Sequence, residues 1–236
     1  MSLAEKYDRV AEGFSDSEYA DYRHYNARRA RVIFGLGPEL ANDGSVLDLG
    51  CGDASFAEEV LARGYRYVGV DASAGMCAAA QARLAGDGEI EQGDFETYEP
   101  REAFDAVLVL RALYLSDDRV RILRRLHGVA RTKVVFDIDP RRVPLATIRA
   151  EVAVAGFSRL DVRPFFLPAR LVPSPPVDLA LRLLERSGPL ARLLLRRRFR
   201  VICCAYDAAP ARRQLPLALG YLVADEALGL FDALPL

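Results

Sequence analysis

The chain has only two histidines, His24 and His127, in 236 residues. Imidazole is the commonest transition-metal ligand, so two of them give little from which to build a histidine-based metal centre, and no metal is expected. The four cysteines, Cys51, Cys77, Cys203 and Cys204, show no CxxC spacing. Adjacent Cys203 and Cys204 would point to opposite faces of a strand, so free thiols in a cytoplasmic protein are expected. No apolar run approaches the roughly 20 residues that span a bilayer; the greasiest stretch, Leu215–Ala224, is interrupted by Pro216 and Gly220. Met1–Val10 is charged and has no apolar centre, so a signal peptide is not expected. Positive and negative charges nearly cancel, 32 against 33. The chain as a whole therefore has no attraction for nucleic acid or a membrane surface.

What is present is a core: 51% of residues are hydrophobic, which argues against disorder and for a packed fold. Strand and helix signals alternate. Ser45–Gly50 reads as a buried strand, Ser55–Arg63 as a helix, Tyr67–Asp71 as a second strand and Ala74–Leu84 as an alanine-rich helix. Glu89–Gln92 is a short candidate strand. Phe104–Leu110 is continuously apolar, as a strand covered on both faces should be. Asp118–Val129 reads as helix, Lys133–Ile138 as strand, Arg142–Ala155 as helix and Ser158–Phe166 as strand. Phe199–Tyr206 closes the series. This spacing predicts an α/β fold, a mostly parallel twisted sheet with helices on both faces.

Three parts lie outside the repeat. Ala4–Phe34 reads as one or two helices and, within residues 1–44, as a helical lid before the core of 45–207. Leu167–Arg198, rich in proline and then helical, reads as an insertion between the last two strands, able to make an apolar lid. Residues 209–236 form a Leu/Ala-rich tail expected to pack as helix on the core or on a second subunit. The whole is expected to be one domain, a monomer or homodimer.

The chemistry centres on VLDLGCGDASF at Val46–Phe56, followed by VGVD ending at Asp71. In an open parallel sheet, ligands bind beyond the carboxyl ends of the strands. Gly50 and Gly52 fall there, and without a Cβ they let the backbone approach a ligand. Asp71, about 20 residues on, is placed to accept hydrogen bonds from ribose hydroxyls. A dinucleotide fingerprint requires G-x-G-x-x-G; here Ser55 stands at the third glycine, with Phe56 behind it. Diphosphate binding, and with it a nicotinamide-dependent oxidoreductase, is disfavoured. Asp48 instead brings negative charge to the floor of the site, which suits a sulfonium and an ammonium.

The series D-L-G-C-G, V-G-V-D-A-S, G-D-F-E and F-D-A-V-L-V-L, in order from about Ser45 to Asp139, resembles the motifs of class I S-adenosylmethionine-dependent methyltransferases. The resemblance implies a Rossmann-like methyltransferase fold, S-adenosylmethionine as cofactor and S-adenosylhomocysteine as product. It implies that Asp48, Gly50, Cys51 and Gly52 line the methionine and sulfonium side, and that Asp71 holds the ribose. Ala72 and Met76 would lie against the sugar or adenine, with Asp94 on the adenine amino group, Phe95 on the ring, and Leu110 bordering the methionine moiety. From the N-terminal segment, Tyr7, Tyr19 and then Arg28 are the expected partners of the cofactor carboxylate. One departure stands out: Ala54 occupies a position often held by glycine.

For the acceptor, His24, Tyr25, Arg111 and Tyr114 are the candidate catalytic residues, His24 as a general base. Leu110-Arg111-Ala112-Leu113 replaces the Asn-Pro-Pro-aromatic string of amino-group methylases and argues against them. The expected reaction is methylation of a small molecule, with a secondary metabolite as one candidate class. One alternative is an RNA or tRNA methyltransferase using the segment Arg182–Arg200, where seven arginines face one glutamate; such a segment could contact phosphates. A protein that binds S-adenosylmethionine without transferring its methyl group is the other.

Overall fold

The computed structural model describes residues 3–188, 191 and 200–208. The tail at 209–236 and the run Arg196–Arg198 lie outside the described residues. Seven strands form one sheet: β1 (Ser45–Leu49), β2 (Arg66–Asp71), β3 (Glu89–Gln92), β4 (Phe104–Val109), β5 (Ala130–Ile138), β6 (Arg159–Phe165) and β7 (Arg200–Tyr206). Their spatial order is β3-β2-β1-β4-β5-β7-β6. β1 pairs in parallel with β2 and β4, β2 with β3, and β4 with β5. β7 runs antiparallel between β5 and β6. The chain leaves β1 toward one edge and returns at β4 toward the other, which puts the switch point between these two strands.

The apolar runs that predicted these strands are buried because helices cover both faces. α6 (Arg119–Val129) and α7 (Leu145–Ala155) pack one side, where Leu47, Val107 and Phe136 meet Ile122, Leu123 and Ile148. α3 (Tyr22–Phe34), α4 (Ala57–Leu61) and α5 (Ala74–Leu84) belong to the other side, with Val46, Leu108 and Val135 against Ile33, Val60 and Ala80. Because strand side chains alternate, Asp48 shares the face of Val46, and Leu110 that of Leu108. Asp137 shares the face of Val135 in the same way. Asp71, two steps beyond Gly69, the cross-strand partner of Asp48, joins them on the side covered by α3.

The N-terminal segment forms three helices rather than one or two: α1 (Leu3–Asp8), α2 (Phe14–Glu18) and α3. Gly13, in the left-handed region at φ 65°, turns the chain into α2. Asp21 caps α3 by accepting the amide of His24 at 2.9 Å. α3 ends over a buried amine: Lys133 Nζ donates to the carbonyl of Leu36 at 2.7 Å and lies 3.4–3.5 Å from those of Phe34 and Ile33. Two predicted helices are shorter than expected. α4 begins only at Ala57, after the turn built on Asp53 and Ala54, and α7 begins at Leu145, after Pro144. The insertion carries α8 (Pro175–Glu185), started by its two prolines.

Candidate functional site

A cavity of about 350 Å³ opens beyond the carboxyl ends of β1, β2 and β4, under α1–α3. Its floor is the turn after β1. The amides of Gly50 and Cys51 donate to the carbonyl of Val70 at 2.8 and 3.0 Å, which ties this turn to β2. Gly50 has φ 76°, and a Cβ there would sit 3.0 Å from that of Ala112, so both counts favour glycine. Ala54, where the motifs this chain resembles often carry glycine, still adopts the left-handed conformation at φ 52°.

Asp71 closes one wall. Its Oδ2 accepts the Gly52 amide and its Oδ1 the Ser73 amide, both at 2.9 Å. Burial raises its pKa in spite of these bonds. Asp94 accepts the Glu96 amide at 2.8 Å, and Arg125 of α6 holds the loop by donating to the carbonyls of Phe95 and Tyr98. Ala72, Met76, Asp94 and Phe95 line the same end.

Asp48 lies at the centre, 2% exposed. Tyr67 donates its hydroxyl to Oδ2 at 3.1 Å, while Oδ1 has no hydrogen-bond partner. Burial is the main cause that pushes the Asp48 pKa up, to about 6, against the Tyr67 bond and the charge of Arg29. Arg29, from α3, is 5% exposed and also lines the cavity. Its Nη2 likewise has no partner, while its guanidinium carbon lies 5.7 Å from the Phe56 ring centroid. A buried donor and a buried acceptor, each lacking a partner among the described residues, therefore belong to residues that line one cavity. Unpaired buried groups of this kind are costly, and a ligand carrying both an ammonium and a carboxylate would satisfy both.

The roof is anchored by polar contacts to the floor. Asp8 of α1 accepts the Ser73 hydroxyl at 2.5 Å and the Gly75 amide at 3.0 Å. Asp53 accepts the amide and hydroxyl of Ser15 at 3.2 and 2.8 Å and pairs with Arg83 at 2.8 Å. Tyr7, Phe14 and Tyr19 thereby hang over the cavity. At the far end, Arg111 donates to the Tyr19 oxygen at 2.8 Å and pairs with Glu18 at 3.2 Å. Arg111 takes φ 60°, a conformation that costs a non-glycine residue and recurs at functional sites. Its amide donates to the buried Asp137.

The cavity brings together Asp48, Gly50, Cys51, Gly52, Asp71, Ala72, Met76, Asp94, Phe95, Leu110, Tyr7, Tyr19, Arg111 and Tyr114. It does not include Arg28, His24 or Tyr25. Arg28 is turned away into an ion-pair cluster with Asp178 and Glu185 of α8. His24 stands at the start of α3 with Nε2 3.7 Å from Asp178. Tyr25 is buried against Tyr19 and Phe165, with ring centroids 4.7 and 5.3 Å away. Nor does the described part of the insertion, 167–188, line the cavity; it packs from the side through the Arg28 cluster. Sequence reasoning missed Arg29, Asn26 and Asp53. The signal for Arg29 was its phase: Asn26, Arg29 and Ile33 follow the i, i+3, i+7 spacing of the face that α3 buries.

Burial, then the charges of Asp48 and Asp71, push the Cys51 thiol well above its ordinary value, which disfavours the thiolate. Among the described residues no group of His, Cys, Asp and Glu could hold a metal ion. No helix among them is long and apolar enough to cross a membrane.

Residues 46–133 match the family described as "Methyltransferase domain". No curated protein matches the chain. A chain of the Haloferax volcanii complex between the Trm112 methyltransferase activator and a methyltransferase superposes with TM-score 0.61 and 17% identity, over 88% of this chain and 100% of that one. The [4+2]-cyclase SpnF gives TM-score 0.62 and 15% identity, over 88% and 96%. Phosphoethanolamine N-methyltransferase 2 of Haemonchus contortus, bound to phosphomonomethylethanolamine and S-adenosylhomocysteine, gives 0.61 and 16%, over 89% of this chain and 61% of its own. At these identities the likeness is one of fold.

Proposed function

We propose that the chain is a class I S-adenosylmethionine-dependent methyltransferase, a reading supported by the family match over residues 46–133 and by the likeness of fold, and that it methylates a small-molecule acceptor in the cytoplasm. The observation that carries the site assignment is the pair of partnerless buried atoms, Asp48 Oδ1 and Arg29 Nη2, on two residues that line one cavity. They match the ammonium and carboxylate of the cofactor's methionine moiety. In this reading Asp71 takes the ribose, Asp94 and Phe95 the adenine, and Gly50–Gly52 the backbone contact. Four free cysteines support the compartment.

When bound, the cofactor supplies an electrophilic methyl group on a positively charged sulfur. The protein's part is to hold the acceptor in line at about 3 Å and to exclude water. No histidine lines the cavity, so proximity and orientation, with Arg111 and Tyr114 beside the acceptor, carry the reaction. Calorimetric titration with S-adenosylhomocysteine tests the cofactor site. Asp71→Ala removes the ribose acceptor and frees the Gly52 and Ser73 amides, and it should weaken binding by about 1–3 kcal/mol. Unchanged affinity would remove Asp71 from the site.

Asp48 makes binding pH-dependent. Its ionised form is the one that accepts from an ammonium, so affinity should fall as pH drops below about 6, approaching tenfold per unit, and this slope should vanish in Asp48→Asn. The stability effect has the opposite sense. The folded state holds this proton more tightly than the unfolded chain, so the carboxyl is harmless below its ordinary pKa of 3.8. It becomes destabilising as pH rises through about 6, by on the order of 3 kcal/mol. Asp48→Asn should therefore be more stable than the parent at pH 8 in urea denaturation, with the difference disappearing near pH 4.

A second reading, an RNA acceptor, draws on one further observation. Arg28, Arg31, Arg163, Arg182 and Arg186 line a separate cavity of about 480 Å³ in which Glu185 is the one acidic residue among the described residues. Salt-sensitive retention of tRNA would favour it, and no retention at low salt would remove it.

A further inference from the structure

We propose that the acceptor carries an anionic group, a carboxylate or a phosphate, which docks on guanidinium groups gathered around Tyr114. The inference rests on the methyltransferase reading, because it takes the Tyr114 end of the cavity as the acceptor side. Three arginines from three separate connections converge there. Arg111 follows β4, Arg142 follows β5 and Arg200 opens β7. The guanidinium carbons of Arg142 and Arg200 lie 5.9 and 5.6 Å from the Tyr114 ring centroid. Tyr114 itself lines the cavity.

The cluster is built rather than incidental. Asp137, 2% exposed, accepts the Arg111 amide on one oxygen and Arg200 Nη1 at 2.9 Å on the other. One buried carboxylate thus fixes the ends of β4, β5 and β7 relative to each other. A guanidinium that meets an aromatic ring keeps in-plane N–H donors for a planar oxyanion. The carboxylates facing the group, Glu18 and Asp137, are each already engaged by one of its arginines. Neighbouring Arg141 is paired with Asp139. Arg142 has no carboxylate partner among the described residues, so the group is one positive charge in excess. The cofactor's sulfonium would add another, and a negatively charged acceptor would meet both.

The test uses the full chain preloaded with S-adenosylhomocysteine and titrated by NMR or calorimetry with benzoate and phenyl phosphate. Benzamide and benzyl alcohol serve as neutral counterparts. At least one anion should bind tenfold or more tighter than its neutral counterpart, and the better of the two says whether carboxylate or phosphate is the natural group. Arg142→Gln should abolish that preference, and Arg142→Lys, which keeps the charge but loses the planar fork, should restore part of it. Equal binding of anions and neutrals, or an anion preference untouched by Arg142→Gln, would overturn the proposal while leaving the methyltransferase reading intact. Failure of S-adenosylhomocysteine itself to bind would overturn both.

Discussion

Replacing Arg28 with methionine is expected to destabilise the fold by about 3–5 kcal/mol, the usual effect of stripping one partner from a buried ion pair. The Arg28 side chain is 3% exposed, and those of Asp178 and Glu185 are 10% and 5% exposed. Its Nη2 donates to both Glu185 oxygens at 2.6 and 2.7 Å, and its Nη1 to Asp178 through both the carboxylate and the backbone carbonyl. Without the guanidinium, two carboxylates remain beneath α8. Arg182, 43% exposed and 3.2 Å from Asp178, offsets only part of their charge. Glu185 would keep the Phe166 amide, which donates to it at 2.8 Å. Urea denaturation should show the loss, and neutralising both acids as well (Asp178→Asn with Glu185→Gln) should recover much of it. Affinity for S-adenosylhomocysteine in the folded fraction should stay close to that of the parent, because Arg28 does not touch the cavity. A loss below 1 kcal/mol would mean that α8 is not held by this cluster.

That result would also explain a limit of the sequence. Arg28 and Arg29 are adjacent, equally charged and both buried, yet about 100° of helical rotation separates their side chains. Which one reaches the site depends on the phase of α3 and on where α8 docks. The acidic partners Asp178 and Glu185 lie 150 and 157 residues away in the chain, and no local pattern links them to Arg28. The same distance hides the antiparallel insertion of β7 between β5 and β6: FRVICCAY reads as a buried strand from composition, but its direction comes from pairing with strands far off in the chain. By contrast, much of the cavity lining was legible, since motif order, glycine position and strand parity are local properties. Asp48, Asp71 and Leu110 reach one cavity because alternation along parallel strands puts them on one face. Asp53 sat inside the recognised string and was still missed. Its work is to bind Ser15 and Arg83, contacts that exist only once α2 and α5 have packed.

Arg29→Met is the companion substitution and should do the reverse of Arg28→Met. In the protein without ligand, Arg29 carries a buried Nη2 with no partner, a cost to the folded state that its charge offsets only in part by steadying the Asp48 carboxylate. Methionine keeps most of the packing against Phe56, and its flexible side chain adapts to small gaps. Stability should therefore hold within about 1 kcal/mol or rise slightly, since a desolvated donor has been removed. Cofactor binding should suffer instead. Cutting one member of a buried, hydrogen-bonded charge pair costs about 2–5 kcal/mol, so S-adenosylhomocysteine should bind at least thirtyfold more weakly. The loss should shrink for 5′-methylthioadenosine, which keeps the adenosine but lacks the amino-acid end. That contrast separates a missing carboxylate contact from a general collapse of the roof: equal losses for both ligands would say that Arg29 only props α3 in place. Removing Asp48 as well tests the pairing, because the two groups serve opposite ends of one zwitterion. If both act on it, the double variant with Asp48→Asn should lose less than the sum of the single losses, since a ligand released from one contact gains less from the other.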